Sequence, residues 1–478
     1  MTTVLSIDQG TSGTKAVVVE ASGRVLSLAE IAVTPSYLSG GGVEHDPLAL
    51  LESVLTAGRQ AVEQAGVEIH VVTLANQGES VLAWDLGTGE PLSPIIVWQD
   101  RRSQPICTEL ASQADIVQER TGLRLESYFS APKQTWIRRN ITREGVVTTT
   151  DSWILHQLTG EFVTDVTTAS RSLVFDIHSR QWDPELLGLF DLQDEKMPRI
   201  AANDEIVGQT SAFGGQVPVG GIVVDQQAAL VAEHCVETGE AKCTFGTGAF
   251  LLANVGEDPV VSKSGLSTSV AWSVRDRAVN CLDGQVYTAA SAVRWLEKLT
   301  FIDSAADLDT VAADDAGDVM CVPALAGLAA PWWRPDATAK FTGITLSTGA
   351  EHMVRAVLEG IAAQVATLAQ AMMVDLGQGI SRLRVDGGLT QSRVLMQVVS
   401  DLMQIPVDVY PSQHATPLGA AALARMALDP KTSLDEAIVD WEPTTVYEPR
   451  WSPERAVEYL SRWHHLAQPL RRPRQHWD

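Results

Sequence analysis

Apolar and polar positions follow a strand-like rhythm at the start of the chain. Apolar runs over 4–8, 14–20 and 25–33 are separated by the turn-forming stretches QGTSG and ASGR. This pattern predicts three antiparallel strands in succession. The next stretch, HDPLALLESVLTAGRQAVEQAG, has apolar residues at helical spacing, with Asp46 placed as the N-cap and Pro47 in the first turn. The chain therefore opens as an α/β domain.

The same order of elements returns near the middle of the chain. GGIVVDQQAALVAEHC predicts a strand that ends in an acid and continues into a helix, and GEAKCTFGTGAFLLANVG predicts two strands around a Gly-Thr-Gly turn. The FGTGAF turn resembles QGTSGT in the first hairpin, which we interpret as a weak internal duplication. Because 478 residues exceed what one core holds, we predict two domains, 1–220 and 221–478, divided near Gly220.

A β-α-β unit is predicted in the second half. ISRLRVDGGLTQSRVLMQVVSDLMQIPVDVY contains a strand pattern, a glycine pair, a helix pattern and a second strand pattern. The glycine pair follows the carboxyl end of its strand, where α/β folds place ligands. The long helical pattern HMVRAVLEGIAAQVATLAQAMMVDLG precedes this unit, and the chain closes with a helical pattern and a basic tail, for which we expect a solvated end.

Composition narrows the class of protein. The chain is 45% hydrophobic and 20% charged, and no apolar stretch approaches the roughly 18 uninterrupted residues of a membrane helix. Asp8 interrupts any secretory leader, so we expect a cytoplasmic protein without a membrane partner. A formal net charge of -24 repels nucleic acid. The five cysteines form no C-x-x-C pair, so neither a disulfide framework nor a zinc site is expected.

The first hairpin carries unusual chemistry for a turn. In IDQGTSGTK, Asp8 ends a buried strand, and Thr11, Ser12 and Lys15 follow within one turn. Amides and hydroxyls that donate to phosphate, a cation, and a carboxylate for hydrated Mg²⁺ are the parts of a magnesium-nucleotide site. The alternative is an ordinary hairpin whose glycines supply positive φ. The stretch is not a P-loop, because G-x-x-x-x-G-K-[ST] is absent.

Three later stretches extend this picture. Asp225 in VVDQQAA ends an apolar run and suits either a general base or a helix N-cap, two roles that are compatible. FGTGAF offers a second set of amides and a threonine hydroxyl, and DGGLTQS offers a flat glycine surface for a base or ribose. Each stretch is weak evidence singly, and their order along the chain is the stronger signal.

That order resembles the actin-like ATPase superfamily, and within it the FGGY family of carbohydrate kinases. YFSAPKQTWIRRN (128–140) and AKFTGITLSTGAEHMVRAVLE (339–359) resemble the two family signatures, the first departing only at Gln134. GGVEHDP, PIIVWQDRR and APWWRP resemble segments of the glycerol kinase branch. The resemblance implies a two-domain α/β actin-like ATPase (ribonuclease H-like) fold with a nucleotide cleft between the domains. It implies acceptor binding and the first phosphate hairpin in the first domain and nucleotide binding in the second.

The resemblance also implies ATP and Mg²⁺ as cofactors and assigns residues to them. It gives Asp225 as the base and Asp8 as the Mg²⁺ ligand. The residues implied at the polyol or sugar are Glu79, Trp98, Tyr128, Asp225, Gln226 and Phe250, and those implied at the nucleotide and its phosphates are Thr11, Ser12, Lys15, Gly246, Thr247, Gly248, Gly387, Gly388 and Ser392. Ser392 replaces an asparagine usual in the branch.

One departure bears on the acceptor. The sequence at residues 76–79 is NQGE, so Gly78 stands where glycerol kinases have an arginine before the pocket glutamate. Loss of that arginine removes charge-assisted hydrogen bonds and leaves room. We therefore expect phosphorylation of a terminal primary hydroxyl of a small polyol, either glycerol or a longer alditol such as erythritol or xylitol.

Two alternatives remain open at this point. A ketopentose kinase of the xylulose or ribulose type belongs to the same family. An actin-like ATPase switch without a small-molecule acceptor has the same fold and a different function. The family resemblance further implies a homodimer.

Overall fold

The structure is a computed structural model that describes residues 2–468. Its strands are β1 Thr3–Gln9, β2 Gly13–Glu20, β3 Val25–Ala32, β4 Ser36–Tyr37, β5 Val43–His45, β6 Val71–Asn76, β7 Val81–Trp84, β8 Ile95–Ile96, β9 Val146–Thr149, β10 Val163–Asp165, β11 Phe175–Asp176, β12 Gln181–Trp182, β13 Arg199–Ala201, β14 Ile206–Thr210, β15 Val217–Gly220, β16 Val223–Val224, β17 Ala241–Phe245, β18 Ala249–Gly256, β19 Ser267–Val274, β20 Arg277–Val286, β21 Met320–Val322, β22 Lys340–Thr342, β23 Leu383–Asp386, β24 Val407–Val409 and β25 Thr445–Tyr447.

Its helices are α1 Pro47–Ala65, α2 Gln104–Glu109, α3 Ala114–Thr121, α4 Ser130–Asn140, α5 Thr150–Thr159, α6 Val166–Ala169, α7 Pro184–Leu189, α8 Asp225–Ala232, α9 Ala290–Lys298, α10 Leu308–Val311, α11 Ala350–Leu376, α12 Arg393–Met403, α13 Ala415–Leu428, α14 Leu434–Ala437 and α15 Pro453–Ala467.

The first large sheet has the order β14-β15-β6-β1-β2-β3, and β16 also pairs with β6. β1, β2 and β3 form the predicted antiparallel meander, and β1 pairs in parallel with β6. β1 and β6 are buried along almost their whole length. Strands covered on both faces are typical of the parallel centre of an α/β sheet.

The second large sheet repeats the arrangement of the first. Its order is β19-β20-β18-β17-β23-β24-β25, with β17 and β18 as an antiparallel hairpin and β23 parallel to β17. In both sheets the first hairpin strand therefore has an antiparallel partner on one side and a parallel partner on the other. The predicted internal duplication is confirmed at the level of topology, as is the β-α-β unit of β23, α12 and β24.

The helix predicted after the meander is α1. Asp46 caps it, since one carboxylate oxygen accepts from the backbone N–H groups of Leu48 and Ala49, and the helix ends at Gly66 with φ 61°. The terminal helical pattern is α15, while the predicted basic tail lies largely outside the described residues.

α11 is the central helix of the second domain. By length and hydropathy it is long and apolar enough to cross a membrane, yet 78% of its most apolar stretch is buried inside the protein. It packs against β18, β20, β21 and α12. This is the situation of a core helix.

The two domains interlock at the base of the cleft. α13 comes from the second half of the chain but packs on β1 and β6 of the first sheet and on α8. Its close approach requires Gly419, where a Cβ would lie 1.8 Å from the Ala228 carbonyl oxygen. Ser6 on β1 donates to the Pro417 carbonyl at 2.7 Å. β16, which follows the predicted boundary at Gly220, also joins the first sheet.

Candidate active site

The first hairpin places an acid and a base side by side. Asp8 on β1 pairs with Lys15 on β2, so both side chains project from the same face of the sheet. Burial and the nearby carboxylate of Asp225 raise the pKa of Asp8 to about 7, against the opposing effect of Lys15. An acid with so high a pKa is a carboxylate that lacks sufficient positive charge around it.

The glycines of this turn serve close packing. Neither Gly10 nor Gly13 has a positive φ, so the alternative of an ordinary hairpin whose glycines supply one does not describe this turn. A Cβ at Gly13 would lie 2.9 Å from the Ile31 carbonyl oxygen on β3. The turn needs glycine because the neighbouring backbone approaches it, and not because of a left-handed conformation.

The second hairpin presents backbone amides to the cleft. The carbonyls of Gly246 and Thr247 accept from the first N–H groups of α9, including Ala290 N at 3.0 Å. Since C=O and N–H point in opposite directions across a trans peptide, the N–H groups of Thr247 and Gly248 point away from α9. A Cβ at Gly248 would lie 2.4 Å from the Val286 carbonyl oxygen, so this position also requires glycine for close approach.

Asp225 is the first residue of α8, directly after β16. It is partly buried, and burial raises its pKa, while the N–H of Gln226 and the charges of Lys242 and Arg171 oppose that rise. Lys242 Nζ donates to Gln226 Oε1 and to Thr244 Oγ1, each at 2.7 Å. Lys242 was not predicted, although a lone lysine in the apolar strand AKCTF is a usable signal.

Trp98 joins the acceptor wall to the first phosphate turn. Its Nε1 donates to Thr11 Oγ1 at 2.8 Å, and that hydroxyl donates to Gln77 Oε1 at 3.0 Å. The indole meets Tyr128 and Phe250 edge to face, with ring centroids 5.6 and 6.2 Å apart. The Thr11 hydroxyl therefore already donates its proton to Gln77, whereas the neighbouring Ser12 also lines the cleft.

Glu79 sits in a strained turn beside a buried arginine. It has φ 62°, unusual for a residue with a side chain. Arg171 donates through Nε to Glu79 and through Nη1 to Asp283. All three are almost fully buried, and burial raises the pKa of Glu79 in spite of Arg171.

Arg171 corrects the expectation drawn from Gly78. The pocket has a guanidinium, supplied from the segment after α6 and not from position 78. A Cβ at Gly78 would lie 3.5 Å from Val224 Cγ1 and 3.7 Å from Arg171 Cδ, so the space there is bounded by these two side chains. Arg171 and Asp283 were missed because their pairing with each other and with Glu79 joins residues about 100 positions apart, which no local sequence pattern shows.

The cavity has two connected parts. An open cleft of about 400 Å³ is lined by both hairpins, through Thr11, Ser12 and Thr247. A closed chamber with about 20 Å³ of free volume lies beside it and is lined by Arg171 and Asp283. The residues that line both parts are Glu79, Tyr128, Asp225, Gln226 and Phe250. The sequence-predicted acceptor residues thus stand between the phosphate hairpins and the chamber, except that Trp98 and Gly78 line the cleft alone.

The residues predicted around the Asp-Gly-Gly turn lie in different surroundings. Gly387 has φ 95°, and a Cβ there would lie 2.5 Å from the Phe245 carbonyl oxygen. Gly388 has open space beside it. Ser392 instead caps α12, and its hydroxyl donates to Asp309 at 2.7 Å. The Ser392 hydroxyl therefore already has partners within the protein, and its place at the nucleotide stays a prediction.

The carboxylates of the cleft suit a partly hydrated Mg²⁺. The negative charges of Asp225 and Asp386 both raise the pKa of Asp8, which shows that these acids lie close enough to repel one another. Within residues 2–468, no three His, Cys, Asp or Glu side chains are placed to hold a metal ion by themselves. Mg²⁺ typically takes one or two carboxylates together with water and phosphate oxygens. The donor set fits that mode of binding.

Fold and site together define a small-molecule kinase of the actin-like ATPase class. The sequence matches the N-terminal domain of the FGGY family of carbohydrate kinases over residues 3–232 and the C-terminal domain over 241–428. It is 38% identical to glycerol kinase from Delftia acidovorans, over 98% of this chain and 99% of that protein. It is also 38% identical to glycerol kinase 2 from Thermotoga maritima, over 96% and 97% respectively.

Solved structures of carbohydrate kinases superpose on this chain over nearly its whole length. Plasmodium falciparum glycerol kinase with ADP superposes with a TM-score of 0.90 at 32% identity, over 98% of this chain and 97% of that one. Xylulose kinase from Lactobacillus acidophilus has a TM-score of 0.88 at 20% identity, over 98% of each chain, and shares the fold. The chain belongs to the FGGY family of carbohydrate kinases. It is accordingly a phosphotransferase with an alcohol acceptor, and family membership implies that it uses ATP.

Proposed function

We propose that the protein transfers the γ-phosphoryl group of ATP to a terminal primary hydroxyl of a small linear polyol, glycerol or a longer alditol. One observation carries this proposal. Glu79, Tyr128, Asp225 and Gln226 line both the cleft of the phosphate hairpins and the closed chamber. An acceptor held there has its reacting end beside the phosphates and its remaining hydroxyls among buried hydrogen-bonding groups.

Asp225 is the proposed base. It accepts the proton of the acceptor hydroxyl as the hydroxyl oxygen forms its bond to the γ-phosphorus, and the bond from that phosphorus to the ADP oxygen breaks. Burial raises the pKa of Asp225 and so increases its basicity. Lys15 and the amides of Thr247 and Gly248 stabilise charge on the phosphoryl oxygens.

Asp8 is the proposed protein ligand of Mg²⁺, with the other oxygens coming from water and phosphate. When bound, the ion neutralises phosphate charge. The place of Asp8 near the end of β1, directly before the first hairpin turn, supports this assignment.

The comparisons favour a polyol over a ketose. The relatives at 38% identity are glycerol kinases, whereas the xylulose kinase shares only 20% of its residues. An ATPase switch would have no use for the acceptor chamber. A cytoplasmic location, a homodimeric state, and the absence of nucleic-acid and membrane partners are further proposals that rest on the family resemblance, the composition and the charge.

The test is an acceptor panel assayed by ADP release. Glycerol, erythritol, threitol, xylitol, arabitol, xylulose and ribulose are each supplied with ATP and Mg²⁺, with an acceptor-free reaction as control. We expect turnover with one or more polyols well above the acceptor-free rate. Turnover of ketoses alone would support the ketopentose alternative, and ATP hydrolysis that no acceptor changes would support the ATPase switch.

A further inference from the structure

Gln285 lines the chamber and does not line the cleft. It is on β20 directly opposite Phe250 on β18, and Asp283 and Leu252 form the next pair on the same face. All four line the chamber, whereas of these only Phe250 also lines the open cleft. This face of the second sheet is therefore the floor of the chamber, farther from the cleft than the residues that the two cavities share.

Two donors among the residues that line the chamber have no protein partner within residues 2–468. Gln285 is 3% exposed, and its Nε2 is buried without a hydrogen bond. Arg171 uses Nε and Nη1 for Glu79, Ser269 and Asp283, and in residues 2–468 no acceptor is recorded for its Nη2. A buried donor without an acceptor is costly, and an oxygen supplied by a ligand in the adjoining chamber would satisfy the Gln285 amide.

The charges that line the chamber determine which kind of ligand oxygen can bind there. The carboxylates of Glu79, Asp225 and Asp283 line the chamber together with one guanidinium, that of Arg171. A carboxylate on the ligand would meet a surplus of negative charge. A hydroxyl can accept from Gln285 and donate to a carboxylate at the same time, which neither a carbonyl nor a carboxylate can do.

The free volume of the chamber limits how far the acceptor molecule can extend into it. The free space of the chamber, about 20 Å³, holds roughly one water-sized group. That space lies beyond Asp225 and Gln226, which the reacting end of the acceptor must contact. The acceptor thus extends past its reacting carbons by about one hydroxyl-bearing group.

We infer that the acceptor is a linear alditol of four or five carbons, and that its hydroxyl farthest from the phosphorylated end accepts a hydrogen bond from Gln285 Nε2. This inference rests on the proposed function and makes it more specific. Gln285 is a specificity-determining residue.

The test compares two enzymes with two matched acceptors. The enzymes are wild type and Gln285→Leu, which keeps the volume and removes the donor. The acceptors are a tetritol, run as both erythritol and threitol, and butane-1,2,3-triol, which lacks one terminal hydroxyl. In wild type we expect kcat/KM to fall about 10- to 100-fold from the preferred tetritol to the triol. In Gln285→Leu the tetritol falls to the level of the triol, so the ratio approaches one.

The matched control is Gln364→Leu. Gln364 on α11 is 1% exposed, its Nε2 also has no recorded partner, and it lines neither cavity. We expect Gln364→Leu to keep the wild-type ratio between the two acceptors, whatever it does to stability. If Gln285→Leu is too unstable to assay, Gln285→Glu serves instead: it keeps the shape, replaces the donor with an acceptor, and is expected to lose the same ratio.

Each of the following outcomes would contradict one particular claim. Wild-type kcat/KM for glycerol equal to or above that for every tetritol and pentitol would overturn the chain-length inference and leave the polyol kinase intact. An unchanged tetritol-to-triol ratio in Gln285→Leu would overturn the role of Gln285. Preferred turnover of a four-carbon aldonate would overturn the choice of a hydroxyl over a carboxylate. No turnover with any polyol would contradict the proposed function itself.

Discussion

At the scale of single residues, the proposed reaction depends most directly on the Asp225 carboxylate. We expect Asp225→Asn to lower kcat by about 10²- to 10⁴-fold, since an amide cannot take the hydroxyl proton. ADP affinity, measured by calorimetry, should change by less than about threefold, because the phosphate hairpins and the Asp-Gly-Gly turn remain. Turnover close to that of wild type would reject Asp225 as the base.

Some residues of the site could be identified from short sequence motifs, and others could not. Asp8, Asp225 and the glycines of both hairpins stand in short motifs, so their positions follow from local pattern. Gln285 does not, because only the pairing of β18 with β20 brings it to the chamber. The hydrogen bonds from Thr11 to Gln77 and from Ser392 to Asp309 also join residues that are distant in the chain. The sequence therefore does not show that these two hydroxyls already have partners.

At the scale of elements, α4 holds the loop that carries Tyr128. Lys133 is fully buried, and its ammonium donates to the carbonyls of Ser127, Tyr128 and Phe129. Burial lowers the pKa of Lys133 to about 7, but all three donors of the charged form are in use. The element is therefore a polar clamp behind the acceptor wall.

Removal of this clamp should loosen the acceptor wall. We expect Lys133→Met to lower the free energy of unfolding by about 2–4 kcal/mol, because three buried carbonyls lose their donor. KM for the acceptor should rise more than KM for ATP, since Tyr128 lines the chamber. Urea unfolding and steady-state kinetics measure the two effects, with the exposed Lys263→Met as control. Equal changes in both KM values would argue against a local role.

The junction of β9, α5 and β10 contains a buried acid that opposes stability at neutral pH. Asp151 accepts from Thr164 at 2.6 Å, its other oxygen has no partner, and burial and the nearby Asp165 raise its pKa to about 7. Between roughly pH 4 and pH 7 the folded protein therefore binds more protons at this site than the unfolded chain does. Its contribution to the free energy of unfolding falls as pH rises through this window and is constant above it.

Replacement of this acid by a neutral isostere should remove the pH dependence. We expect Asp151→Asn to gain stability relative to wild type as pH rises, by about 2–3 kcal/mol more at pH 8 than at pH 5. Urea unfolding of both proteins at the two pH values gives the difference. The exposed Asp258→Asn should show no such trend. A difference that is independent of pH would mean that Asp151 is ionised in the folded protein across this range.

Elements were the most predictable level of the structure. The hairpins, α1 and the β-α-β unit follow from periodicity and caps that lie within a few residues of each other, and the structure has them at the predicted places. The helix α13, by contrast, is apolar on most sides and gives no sign that its partners are β1 and β6, more than 300 residues earlier. Contacts of that range depend on the assembled sheets.

At the scale of the whole molecule, the two domains enclose the site between them. The first supplies Glu79, Trp98 and Arg171, and the second supplies Thr247, Phe250 and Gln285. A rotation of one domain against the other would change the distance between the two phosphate hairpins. Closure over both substrates would also exclude water, which competes with the polyol as acceptor of the phosphoryl group.

The position of α13 has a consequence for synthesis on the ribosome. Val4, Val17, Val19 and Val71 of the first sheet pack against Ala421 and Ala424 of this helix. The last strand of this sheet, β16, ends at Val224, so one face of the finished sheet stays exposed while about 200 further residues are translated before those alanines. Such a nascent chain exposes an apolar strand surface for an extended period, which is the condition under which growing polypeptides aggregate or recruit chaperones.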